Sequence, residues 1–106
     1  MIRHAVIWKM KGFADGQGRE DSIGRVKEAL EGLPGQMDGL IRHLEVGVNI
    51  LEGGENSDLV LIAGFDSMAN LRAYLRHPAH LIVAELLSKV REGRMAVDFE
   101  IPSLFM

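Results

Sequence analysis

The segment Tyr74-Leu75-Arg76-His77-Pro78-Ala79-His80 gathers two imidazoles and a phenol around a proline. A neutral imidazole accepts a proton and a phenol donates a hydrogen bond, so Tyr74 and His80 have the groups needed for acid–base chemistry on a carbonyl compound. Proline lacks an N–H and cannot continue a helix from upstream, but its fixed φ suits the first position of a new one. The sequence therefore predicts that one helix ends near His77 and another begins at Pro78. His80 then falls in a first helical turn, where free N–H groups and the positive end of the helix dipole disfavour imidazolium and keep the ring able to take a proton. Tyr74, on the preceding helix, faces the same cavity across the break. Each residue also has a plain structural reading. His80 can clasp the break by bonding to backbone or to Tyr74, Tyr74 can be core, His77 can cap or face solvent, and His4 can be a satisfied histidine on an apolar strand face. A metal site built from His77, His80 and His4 would lack a carboxylate at helical ligand spacing, so neither a metal nor another cofactor is expected.

These residues need elements to hold them. Residues 2–10 alternate, with Ile2, His4, Val6, Trp8 and Met10 on one face and Arg3, Ala5, Ile7 and Lys9 on the other. Apolar residues on both faces predict a strand central in its sheet. The glycine-rich stretch Lys11 to Gly18 reads as a loop, and it lacks the spacing of a phosphate-binding motif. From Glu20 to Leu33 the residues Ile23, Val26, Leu30 and Leu33 form one helical stripe, which Leu33-Pro34-Gly35 ends. Leu40 to Leu51 reads as a second strand, with Leu44, Val46, Val48 and Ile50 alternating and Gly47 marking a bulge or a close approach. Glu52 to Ser57 is a turn, and Leu59 to Phe65 a third strand, apolar on both faces and so central.

Asp66-Ser67 supplies an N-cap for a helix from Met68 to Arg76, in which Leu71, Tyr74 and Leu75 share a face. After the break, Leu81, Val83, Leu86, Leu87 and Val90 carry the apolar face of a helix ending at Arg91-Glu92-Gly93. Met95, Val97, Phe99 and Ile101 alternate with polar or small residues in a last strand, and Pro102 to Met106 is an apolar tail that needs a covering surface. The resulting order of strand, helix, strand, strand, helix pair, strand is the split βαβ, ferredoxin-like α+β fold: a four-stranded antiparallel sheet with its helices on one face. The helix-free face is partly apolar. The sheet is therefore expected to pack against a copy of itself in a two-fold homodimer.

The chain has 106 residues, which predicts a single domain over 1–106. A net charge of -3 with scattered basic residues offers no footprint for nucleic acid or an anionic membrane. Cysteine is absent, which excludes disulfides, thiolate metal sites and a cysteine nucleophile and fits a cytoplasmic setting. No run approaches the roughly 18 apolar residues of a membrane span.

The opening Ile2-Arg3-His4-Ala5-Val6, the Val46-Gly47 step, Phe65-Asp66-Ser67, the Tyr74 to His80 segment and the closing Val97-Asp98-Phe99 together resemble the stress-responsive dimeric alpha/beta-barrel (Dabb) family, over nearly the whole chain. The resemblance implies ferredoxin-like subunits paired sheet to sheet as a dimeric alpha/beta barrel. Among its members are olivetolic acid cyclase-like proteins, which close a polyketide by aldol condensation. Their tyrosine and histidine look like Tyr74 and His80, and a histidine of their first strand looks like His4. Where the cyclase carries bulky aromatics on its first helix, this chain has the smaller Ile23 and Val26, so the same substrate is not implied. Related barrels include cofactor-free monooxygenases, but no feature here singles out an oxygenase.

Two functions follow as expectations. The first is a stress-linked binding domain with a cleft for a small apolar or keto-type molecule, lined by His4, Val6, Trp8, Ile23, Val26, Leu61 and Val83. The alternative is a cofactor-free cyclase with His80 as base and Tyr74 as hydrogen-bond donor. A cleft filled by side chains would favour binding alone. An open cleft on which Tyr74 and His80 converge would favour the enzyme.

Overall fold

The computed structural model describes residues 1–102, so the rest of the apolar tail after Pro102 lies outside the described residues. Strand β1 (Ile2–Met10) is followed by a two-residue hairpin, β2 (Phe13–Ala14) and β3 (Gln17–Gly18), and by helix α1 (Arg19–Glu31). A 3-10 turn (Pro34–Gln36) leads to β4 (His43–Val48) and β5 (Leu59–Phe65). Helices α2 (Met68–Arg76) and α3 (Pro78–Val90) then precede β6 (Arg91–Glu100). The main sheet is antiparallel throughout, in the order β4-β5-β1-β6. The two strands with apolar residues on both faces, β1 and β5, are thus the central ones. The fold is α+β and ferredoxin-like, with the helices on one face of the sheet.

Two segments depart from their expected form, and a third feature resolves between two expected ones. The stretch expected as a loop closes into the β2–β3 hairpin because Asp15 and Gly16, at φ 52° and 79°, both adopt the left-handed conformations of a tight two-residue turn. The second strand is shorter than its apolar run, and Ile50 lies beyond it, exposed. Gly47 forms no bulge: it stays in register opposite Val60, and a Cβ there would meet Val60 Cγ1 at 3.0 Å. The close approach is what requires glycine. The register shift falls elsewhere, opposite the Lys9–Met10 step of β1, where β6 carries Glu92 as an extra residue between Arg91 and Gly93.

The core lies between the helices and one face of the sheet. On β1 it takes Ile2, Val6, Trp8 and Met10, on β5 Leu59, Leu61, Ala63 and Phe65, and on α1 Val26 and Leu30, all buried. Ser67 Oγ accepts from Asn70 N–H at 3.1 Å and starts α2 as expected. His77 ends α2 and caps α3, its Nδ1 accepting from Ala79 N–H at 3.1 Å, with Pro78 in the first position. On α3 the buried stripe is Val83, Leu87 and Val90. Leu75 and Leu81, expected on the buried faces, are exposed; the buried residues of the two helices are Leu71 and Tyr74, then Val83, Leu87 and Val90.

Strand β6 divides its residues by parity. Met95, Val97 and Phe99 are 69%, 63% and 48% exposed on the face without helices, beside Ile7 at 41%. Its helix-facing side is polar or small, with Arg94 opposite Trp8, Ala96 opposite Val6 and Asp98 opposite His4. The last strand therefore turns its apolar face away from the core.

Candidate active site

A cavity of about 250 Å³ lies between α3 and the sheet. The sheet contributes His4, Val6 and Trp8 from β1 and Leu61 from β5. The helices contribute Leu30, Tyr74, His80, Val83, Ala84 and Leu87, and β6 adds Arg91 and Arg94. His4, Val6, Trp8, Leu61, Tyr74, His80 and Val83 thus meet in one space. Ile23 and Val26 do not line it. Val26 is fully buried in the core, and the first helix reaches the cavity one turn later, through Leu30.

The two rings from the break are in contact. Tyr74 and His80 have centroids 4.6 Å apart at 52°, and His4 meets Tyr74 edge-on at 5.9 Å. The His80 Nδ1 lies 3.1 Å from the Leu75 carbonyl oxygen. A carbonyl only accepts, so Nδ1 carries the proton, and in the neutral ring Nε2 keeps its lone pair. That is the tautomer a general base needs. The His80 pKa is lowered from the usual histidine value, first by burial, which penalises the charged ring, and further by His4 and Arg94, against the opposing pull of the Leu75 carbonyl. The expected direction holds, but desolvation is the main cause.

Native His80 therefore binds fewer protons than unfolded His80 in the acid range. Its contribution to stability is present above about pH 6.5, the unfolded value, and is lost as pH falls through the lower folded value. In urea melts at neutral and mildly acid pH, His80→Gln should show a smaller loss of stability on acidification than the wild type. Equal losses would mean that His80 titrates as it does in the unfolded chain.

Tyr74 is 0% exposed, and its hydroxyl has no hydrogen-bond partner among the described residues. An unmade bond at a buried hydroxyl costs about 1–3 kcal/mol, and Tyr74 is one of the residues that line the cavity. Burial pushes its pKa up to about 12, with Arg94 pulling the other way. The phenol stays protonated through the neutral range. Tyr74 is the sole tyrosine of the chain, which makes this measurable. Phenolate absorbance should rise near pH 12 in the native protein and near pH ~10 after unfolding. A native transition at the ordinary value would mean that water reaches the hydroxyl.

Behind His4 stands Asp98, whose Oδ1 accepts from Nδ1 at 2.5 Å. His4 itself is 3% exposed while Asp98 reaches solvent, and with Nδ1 held by that carboxylate Nε2 is the remaining ring nitrogen. Asp98 was not among the expected site residues, although it stands inside the Val97-Asp98-Phe99 marker. Arg91 and Arg94 were missed as well, because a basic helix end and the polar side of a strand are also ordinary surface features. Among the described residues no group of three or more histidines, aspartates or glutamates is placed to hold a metal ion.

The fold and this cavity define an α+β barrel subunit whose candidate site lies on the helix side of the sheet. The profile of the Stress responsive A/B Barrel Domain matches residues 2–101, and the chain belongs to this Dabb family. A protein of Streptomyces coelicolor is 36% identical over 81 residues, covering 76% of this chain and 79% of its own. A dimeric protein of unknown function and ferredoxin-like fold from Bacteroides fragilis is 31% identical, with TM-score 0.78, covering 94% of this chain and 95% of its own. The hydroxynitrile lyase from Passiflora edulis has TM-score 0.80 over 96% of this chain and 94% of its own, and at 15% identity it is a likeness of fold. The dimeric relative supports a homodimer here. No described helix is long and apolar enough to cross a membrane.

Proposed function

We propose that this Dabb domain is a cytoplasmic, cofactor-independent enzyme that takes a small keto-type molecule into the cavity and moves a proton from its α-carbon, as an aldol-type cyclase or lyase does. The observation that carries the reading is the pairing of His80, whose Nδ1 is committed to the Leu75 carbonyl, with Tyr74, whose buried hydroxyl has no partner among the described residues. In an open cavity, the first group takes the α-proton through Nε2. The second donates to the carbonyl oxygen as it gains negative charge. Val6, Trp8, Leu61, Val83 and Leu87 supply apolar walls that exclude water and hold the chain of the substrate. A purely binding, stress-linked domain would use the same walls but would have no need of a free imidazole nitrogen beside an unpartnered phenol.

The dimer forms, in this reading, through the helix-free face, where Ile7, Met95, Val97 and Phe99 stand exposed. Above Gly47 that face also has a concavity lined by Ile7, Val60 and Met95, ready to receive side chains of a second copy. The catalytic proposal is tested with 2-pentanone in D2O followed by proton NMR. The protein should speed deuterium exchange at the α-carbons well beyond an equal concentration of free imidazole. A rate equal to that of imidazole would leave a binding domain.

A further inference from the structure

We infer that the ligand carries a carboxylate as well as its carbonyl, and that Arg94, aided by Arg91, is the residue that selects it; this rests on the keto-type reading of the cavity. The lining contains two arginines and no aspartate or glutamate, although the chain as a whole has a net charge of -3. Neither guanidinium forms an ion pair or a side-chain hydrogen bond with a described residue, whereas Arg25 and Arg42 pair with Asp15 and Asp66. Arg94 lines the cavity while remaining exposed, which puts it at the solvent end. Its charge is felt by both Tyr74 and His80.

Asp98, four residues along β6 on the helix-facing side, is committed to His4, and Glu92, at the register shift two residues before Arg94, makes no ion pair with it, so neither acid neutralises Arg94. Arginine offers a planar fork of donors that matches a carboxylate in a bidentate pair. A keto acid would thus enter with its carbonyl toward the Tyr74 hydroxyl and its carboxylate left at the arginines. The positive charge has a second effect at the reacting end, since it stabilises the enolate as negative charge grows there. Selection and rate would come from one residue.

Trp8 is the sole tryptophan, lines the cavity and is 4% exposed, so its fluorescence reports occupancy directly. Levulinate, methyl levulinate and 2-pentanone are titrated against the wild type, Arg94→Gln and Arg94→Lys, at low and high sodium chloride. Levulinate should bind the wild type about tenfold more tightly than its methyl ester. Arg94→Gln should remove that preference, Arg94→Lys should keep part of it, and salt should weaken levulinate alone. Equal affinity for the acid and the ester, or a preference that survives Arg94→Gln, overturns the carboxylate site while leaving the keto-type reading in place. Absence of any response to all three compounds overturns both. Circular dichroism of the variants separates loss of binding from loss of fold.

Discussion

Replacing His80 by alanine is expected to lower turnover of a poly-β-keto substrate by roughly 100-fold or more, the usual worth of a positioned general base. The reason lies in the tautomer: with Nδ1 held by the Leu75 carbonyl, Nε2 is the ring's proton acceptor, and the alanine variant leaves nothing in its place. Tyr74→Phe should cost less, since it removes the donor but keeps the ring that packs on Phe65 and His80. Both variants should remain folded dimers, because His80 is only partly buried and phenylalanine conserves the volume of tyrosine. The comparison has a sharp alternative outcome. If both variants lose about 2 kcal/mol of stability and the wild type turns over no keto substrate, the pair is a clasp at the helix break.

Ile7→Asp is expected to abolish the dimer. Ile7 projects from a central strand on the helix-free face, and in a sheet-to-sheet pairing its carboxylate replacement would be buried without a partner, at a cost of about 3–5 kcal/mol. In sedimentation velocity at micromolar concentration the wild type should run as a dimer and the variant as a monomer or an unfolded chain, which circular dichroism distinguishes. A variant that stays dimeric would place the interface on another surface of the subunit.

The strands and helices that build this fold were legible because their signals are local. Alternation along residues 2–10 identified β1 and its buried face, and the two-sided apolar character of β1 and β5 identified them as central. Pro78 marked the break that brings Tyr74 and His80 together. The cavity was read less completely, because a stripe tells which residues are buried but not what they are buried against. Ile23 and Val26 belong to the expected stripe of α1, yet only Leu30, further along it, reaches the cavity. The polar wall was missed for a related reason. Alternation along β6 separates Arg94 and Asp98 from Met95, Val97 and Phe99, but it does not reveal that the apolar set faces away from the helices. That orientation is fixed by pairing with β1, a contact distant in sequence.

The division of β6 by parity has a consequence for how such a protein can diversify. Substitutions at 94 and 98 alter the chemistry met by a ligand, while those at 95, 97 and 99 alter the surface offered to another subunit. The two properties can therefore drift separately, residue by residue, within one strand. An insertion or deletion of a single residue between Arg94 and Met95, inside the regularly paired stretch, would exchange the two sets from there on, putting Asp98 on the apolar face and apolar side chains beside His4. Chemical identity in this stretch is open to variation, but its length is not.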